Sequence, residues 1–195
     1  MLNRFHVSLL TLIMLSACSL APSQRQAADR LELDVPSAST SAAVAVGDIT
    51  LRAPSWLETP QMGYRLRYSH STKRDTYTLT RWVAPPSELV LQALKRGLPQ
   101  GADGRGCRLR VELDEFVQDF QSAQNSSARI EARVRLLPVR GEGGVSRRFE
   151  VVVPAGFADA AGGVEALSRA TQKWIEDLRV WLAAQPDAIK SSCKG

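Results

Sequence analysis

Three runs of apolar–polar alternation in the second half of the chain constrain the fold most. Cys107, Leu109, Val111 and Leu113 alternate with Arg108, Arg110, Glu112 and Asp114. Ile130, Ala132, Val134 and Leu136 alternate with Arg129, Glu131, Arg133 and Arg135, and Phe149, Val151 and Val153 with Arg148, Glu150 and Val152. A period of two sends the first set of each run to one face of a strand and the second set to the other. Such runs build a sheet with one buried face and one charged face. Charges of both signs on that second face can pair between neighbouring strands. The face is either open to solvent or a place where a partner docks. Turns fall at 121–127 and 141–144.

The first half repeats the pattern more loosely. Leu31, Leu33 and Val35 alternate with Glu32 and Asp34. Val44, Val46, Ile49 and Leu51 change parity at Gly47 and Asp48, which predicts a bulge. Met62, Tyr64, Leu66 and Tyr68 alternate with Arg65 and Arg67. After a turn at 70–75, Tyr77 and Leu79 take one face and Thr78, Thr80 and Trp82 the other, so the two runs read as a hairpin. Trp56, in the connecting segment 53–60, is expected to pack that segment onto the domain.

Two stretches switch to helical spacing. Pro85, Pro86, Ser87 and Glu88 suit a helix start, Leu89, Val90, Ala93, Leu94 and Leu98 form its buried stripe, and Gly97 sits at its end. From about 163 to 184, Val164, Leu167, Thr171, Trp174, Ile175, Leu178, Trp181 and Leu182 recur at three and four. The two Trp are read as core. Strands, helix, strands, helix predict an α+β domain: a single mixed, mainly antiparallel sheet with two main helices packed on it.

The front of the chain is of another kind. Arg4 precedes a nearly unbroken apolar run from Val7 to Leu15, then Ser16, Ala17 and Cys18. A cationic head, a short apolar core and small residues before a cut site make a secretory signal. The run falls short of the roughly 20 residues that span a bilayer. Leu15-Ser16-Ala17-Cys18 also resembles a bacterial lipobox, in which the Cys is acylated and becomes the first mature residue. An ordinary cleaved signal with an incidental Cys is the alternative. The expected organisation is a lipoprotein signal peptide over 1–17, acylated Cys18 and a flexible tether over 18–29, and one domain over 30–195. The net charge of +5 is shared over alternating strand faces and is weak evidence for an acidic partner. An exported chain would not meet nucleic acid.

Cys107 and Cys193 then remain, an even pair in an oxidising compartment, and a disulfide between them is predicted, two free thiols being the alternative. No catalytic set emerges. His70, the one His left after cleavage, lies in a polar loop between Ser69 and Ser71, and loop neighbours are not a triad. One His and two distant Cys do not suggest a metal. Asp114, Glu115 and Asp119 form the tight acidic group, but Asp114 and Glu115 should face opposite ways on a strand. The Gly-rich stretch 101–106 precedes a strand and lacks the Lys-Ser/Thr of a phosphate loop. No cofactor fingerprint is present.

The order of these motifs resembles a known family. The lipobox and first strand lead to Ala53-Pro54-Ser55-Trp56-Leu57-Glu58-Thr59-Pro60-Gln61-Met62. A hairpin ends in Thr80-Arg81-Trp82-Val83-Ala84-Pro85-Pro86 and runs straight into a helix. A strand then ends in Asp114-Glu115-Phe116, and a long C-terminal helix follows. Together these are similar to the ABC-type transport auxiliary lipoproteins, the PqiC-like proteins. The resemblance implies a non-enzymatic accessory of the periplasm. It would be anchored in the outer membrane and would work with a substrate-binding protein of the mammalian-cell-entry type, a permease and an ATPase in lipid transport between membranes or envelope integrity. Ser19 after the acylated Cys favours outer-membrane retention. Arg81 and Trp82 are candidate partner contacts, being of residue types common at binding hot spots; Trp82 could instead close the core. Homo-oligomers are possible. The alternative function is a lipid carrier with its own apolar cavity.

Overall fold

The computed structural model describes residues 27–36, 44–101, 104–139 and 143–193; the signal, Cys18 and most of the tether lie outside them. The strands are β1 (Asp29–Leu31), β2 (Val46–Arg52), β3 (Gln61–Leu66), β4 (Asp75–Trp82), β5 (Cys107–Phe120), β6 (Ser126–Leu137) and β7 (Val145–Pro154). The helices are α1 (Pro86–Gly97), α2 (Ala160–Ala183) and the short α3 (Asp187–Ser192).

The seven strands form one mixed sheet in the order β1-β4-β3-β5-β6-β7, with β2 also on β5. The organising strand is β5, because its 14 residues are long enough to take two neighbours on one edge. Its first half pairs in parallel with β2 (Val46↔Cys107 to Arg52↔Glu112) and its last residues with β3 (Tyr64↔Gln118 to Leu66↔Phe120). Along its other edge runs β6, antiparallel, and β7 continues the meander. The bulge expected at Gly47 is present, as a register shift between Val46 and Asp48.

A second register shift, between Leu113 and Glu115, changes the faces of β5. Before it, Cys107, Leu109, Val111 and Leu113 point into the core. After it, Phe116, Gln118 and Phe120 do, and Glu115, Val117 and Asp119 move to the other face. Asp114 and Glu115 therefore do not oppose each other as strict alternation predicts. Both carboxylates reach arginines on the outer face.

Both helices cover the inner face. Helix α1 buries Val90, Ala93 and Leu94, and α2 buries Leu167, Thr171, Trp174, Ile175, Leu178, Trp181 and Leu182. Where they cross, Gly97 leaves room for Ile175, whose Cγ2 would lie 2.7 Å from an added Cβ. The Arg179 guanidinium donates to the Gly97 carbonyl at 2.8 and 2.6 Å, satisfying a helix C-terminus that lacks its own partner.

One polar residue sets how α2 meets the sheet. The fully buried Gln118 accepts from Tyr77 Oη at 2.9 Å, and its Nε2 donates to Ser126 Oγ (2.8 Å) and to the Asp159 carbonyl (3.0 Å). Asp159 is the N-cap of α2, its carboxylate accepting from the Gly162 N–H at 2.8 Å. Burial, with the nearby Tyr64 and Asp159 charges, raises the Tyr77 pKa, so the phenol remains a donor.

Three expectations need correction. Trp56 is 48% exposed; Leu57 buries the connecting turn instead, and the Trp56 ring lies under Arg74, 5.3 Å from the guanidinium carbon. Tyr77 and Leu79 do not share a face opposite Trp82: pairing between β3 and β4 slips between Gln61 and Gly63, so that Tyr77 and Trp82 both meet the core and Leu79 is exposed. The alternating segment from Leu31 to Val35 is a strand only at its start. Leu33 and Val35 leave the sheet and are buried beside α2, where Ser168 Oγ accepts from the Asp34 N–H at 3.1 Å.

Candidate functional site

With the inner face filled, the outer face carries the chemistry, and it divides in two along β5. At the far end of β5 lies a balanced ion lattice. Asp119, 1% exposed, accepts from Arg65 Nε (2.7 Å), Arg129 Nε (2.9 Å) and Arg67 Nη2 (3.4 Å). Glu115 takes Arg74 (2.7 Å) and Arg65 (3.4 Å), and Arg129 also pairs with Glu150. Burial works to raise the Asp119 pKa. The hydrogen bond and charge of Arg65, with Arg129 and Arg67, outweigh it and hold the carboxyl below its ordinary value. Arg65, Arg67, Arg74 and Arg129 each have a carboxylate, so the lattice ties β3, the β3–β4 turn, β5, β6 and β7 together.

The other end is not balanced. A groove of about 410 Å3 opens across β5, β6 and β7, lined by Arg110, Glu112, Arg133, Val134, Arg135, Ser146, Arg147 and Arg148. Arg133 is bound by Asp114 through two hydrogen bonds of 3.1 and 2.9 Å and by Glu112 at 3.1 Å. Arg148 reaches Glu131 at 2.8 Å, whereas Arg147, opposite Val134 in the β6–β7 register, turns to the inward side with its guanidinium over the Phe149 ring at 5.1 Å. Arg110 and Arg135 face each other directly in the β5–β6 register, and neither meets a carboxylate among the described residues. Residue-by-residue reading singled out neither. The signal was available: two alternating runs with Arg at matching positions place like charges opposite once paired antiparallel.

Of the residues singled out in the sequence, Cys18 lies outside the described residues. Cys107, the first residue of β5, is disulfide-bonded to Cys193, just beyond α3. Trp82 is in the core, 2% exposed, with its ring centroid 5.8 Å from that of Phe116. Arg81 is exposed beside it, opposite Arg30 of β1. The pair is thus split by strand alternation: Trp82 serves the fold, and Arg81 is presented outward between the exposed Leu79 and Val83. His70, Ser69 and Ser71 sit exposed on the β3–β4 turn. No group of three or more His, Cys, Asp or Glu among the described residues is placed to hold a metal. No helix among them is long and apolar enough to cross a membrane.

The chain matches the ABC-type transport auxiliary lipoprotein component family over residues 31–178. It belongs to this family. The matched span runs from β1 into α2 and includes both halves of the outer face. A crystal structure of protein XCC0632 from Xanthomonas campestris is similar, with a TM-score of 0.65 and 18% identity, over 76% of this chain and 90% of that one. A second crystal structure, of an uncharacterized protein, has a TM-score of 0.63 and 12% identity, over 80% of this chain and 99% of that one. At these identities the two structures attest the fold alone. No curated protein matches the chain. Family membership makes the chain an auxiliary lipoprotein of ABC-type transport, and the family is one of transport components rather than of enzymes.

Proposed function

We propose that the chain is acylated on Cys18 after removal of residues 1–17, and is held by the tether of residues 18–29 on the periplasmic side of the outer membrane. There it acts as a non-catalytic docking accessory for a transporter that has a mammalian-cell-entry-type substrate-binding protein, a permease and an ATPase. The cargo is lipid moved between the two membranes. The observation that carries this reading is the family match over 31–178, which begins close behind a lipobox-like Leu15-Ser16-Ala17-Cys18. Acyl chains on Cys18 supply a durable anchor when more than one is attached. The packing of the inner face disfavours the carrier alternative, since Val90 and Leu94 of α1 and Trp174 and Leu178 of α2 are wholly buried in the core.

Arg81, with Leu79 and Val83, is the surface we assign to the transporter. Arg81→Glu should abolish co-purification with the transporter and leave Tm unchanged or slightly raised, because Glu would face Arg30. Radiolabelled palmitate should enter the wild-type protein and not Cys18→Ser. Equal labelling of the two, or retention of the complex by Arg81→Glu, refutes the corresponding half of the reading.

A further inference from the structure

Arginines on an exposed sheet face are ordinarily neutralised by cross-strand carboxylates, as they are around Asp119. The groove departs from that rule. Four outward arginines, Arg110, Arg133, Arg135 and Arg148, line it against one glutamate, Glu112, and that glutamate is engaged by Arg133. Its two rows follow the sheet register: Arg110, Arg135 and Ser146 lie in line, then Glu112, Arg133 and Arg148. In the first row Arg110 and Arg135 stand directly opposite on adjacent antiparallel strands. That is a destabilising arrangement when nothing lies between the charges. Asp114 and Glu112 hold Arg133, and Glu131 holds Arg148, so this side of the groove is fixed rather than a chance gathering of mobile side chains.

We propose that this groove is a binding site for a phosphate group, with Arg110 and Arg135 as its two forks and Ser146 as an added hydroxyl donor. A tetrahedral dianion accepts paired N–H bonds from two guanidiniums at once, and the planar guanidinium fork matches phosphate geometry. The groove volume lies within the range of small-ligand sites and exceeds what one inorganic phosphate fills, so it has space for a phosphorylated headgroup. A free phosphate compound and the headgroup of an anionic phospholipid share this chemistry. The site stands whether or not the transporter reading above is correct, because no step of it uses the lipobox, the tether or Arg81.

The test is equilibrium dialysis of the full-length protein in a neutral detergent against radiolabelled inorganic phosphate, at fixed ionic strength set with chloride. Saturable one-to-one binding is expected. Arg110→Gln/Arg135→Gln should weaken it at least tenfold, with Arg110→Gln alone falling between. In phosphate-free buffer both variants should melt no lower than wild type, since the opposed like charges are gone, whereas phosphate should raise only the wild-type Tm. Arg65→Gln, which disturbs the lattice at the other end, should bind phosphate as wild type does. Reconstitution into phosphatidylcholine bilayers with and without phosphatidylglycerol separates the two sources. Loss of phosphate binding in the phosphatidylglycerol bilayer identifies a membrane headgroup, and undiminished binding identifies a soluble phosphate compound. Absence of saturable binding by wild type, full binding by the double variant, or displacement by poly-glutamate more readily than by pyrophosphate overturns the proposal.

Discussion

Replacing both Cys107 and Cys193 with Ala tests how the end of the chain is held. Both half-cystines are buried and their separation in sequence is 86 residues. Chain-entropy reasoning for a closed loop of that length gives about 4.6 kcal/mol, an upper figure because denatured chains keep some structure. Other contacts of the tail are few: α3 buries none of its own residues, and a backbone bond from Val139 N to the Ser192 carbonyl at 3.3 Å joins it to the end of β6. The double Ala variant should therefore lose about 3–5 kcal/mol in urea unfolding followed by Trp fluorescence. At roughly 2–4 °C per kcal/mol for a domain of this size, Tm should drop by about 10–15 °C. The m-value should rise, because the denatured chain is no longer cross-linked and exposes more surface. A loss under about 1 kcal/mol with unchanged m would refute the reasoning, and would mean that the tail docks unaided.

Three other perturbations follow from the packing and the ion lattice. Asp119 titrates below its unfolded value, so the native state binds fewer protons there than the unfolded state in moderately acidic solution. Its contribution is complete above the unfolded value and fades as pH falls through the lowered folded one. Asp119→Asn should flatten the acid limb of a Tm-against-pH curve and cost about 3 kcal/mol at neutral pH, because it removes the buried negative charge that Arg65, Arg67 and Arg129 share; an unchanged acid limb would disprove the assignment. Gly163→Ala places a Cβ 2.0 Å from Gln118 Oε1 and 2.8 Å from Met62 Cε, so the usual gain of about 1 kcal/mol for Gly→Ala in a helix should reverse into a net loss of about 1–3 kcal/mol. A double-mutant cycle with Gln118→Ala should recover part of that loss, and strict additivity would argue against the clash. Trp82→Ala should cost about 3–5 kcal/mol in chemical denaturation as a core truncation, and a loss below 1 kcal/mol would place Trp82 outside the core.

How much of this was legible in the sequence follows from which signals are local. Alternation and the stripe from Leu167 to Leu182 depend on residue spacing alone, and they located the long strands and the major helix. The bulge at Gly47 showed because it breaks an apolar pattern. The one at Asp114 did not, because Asp114 and Glu115 are both acidic and a change of face between like residues leaves no trace. That hidden shift is what brings Glu115 and Asp119 onto one face with Arg65 and Arg129. Trp56 misled for a different reason: its apolar area suggested burial, whereas Leu57 fills the available space and Trp56 lies against Arg74. The arginine groove depends on the β5–β6 register, which pairs residues far apart in sequence and is set by tertiary packing.

The edge of β5 shared by β2 and β3 has a mechanical consequence. The ladders on that edge cover 107–112 and 118–120, and the central stretch from Leu113 to Val117, where the bulge sits, has no strand alongside it there among the described residues. The sheet thus has a soft waist between two stiffer blocks, one braced by the disulfide and one by the salt lattice. Twisting strain applied to either block would relax at this waist before crossing it, and backbone amides there should exchange with solvent sooner than those on either side.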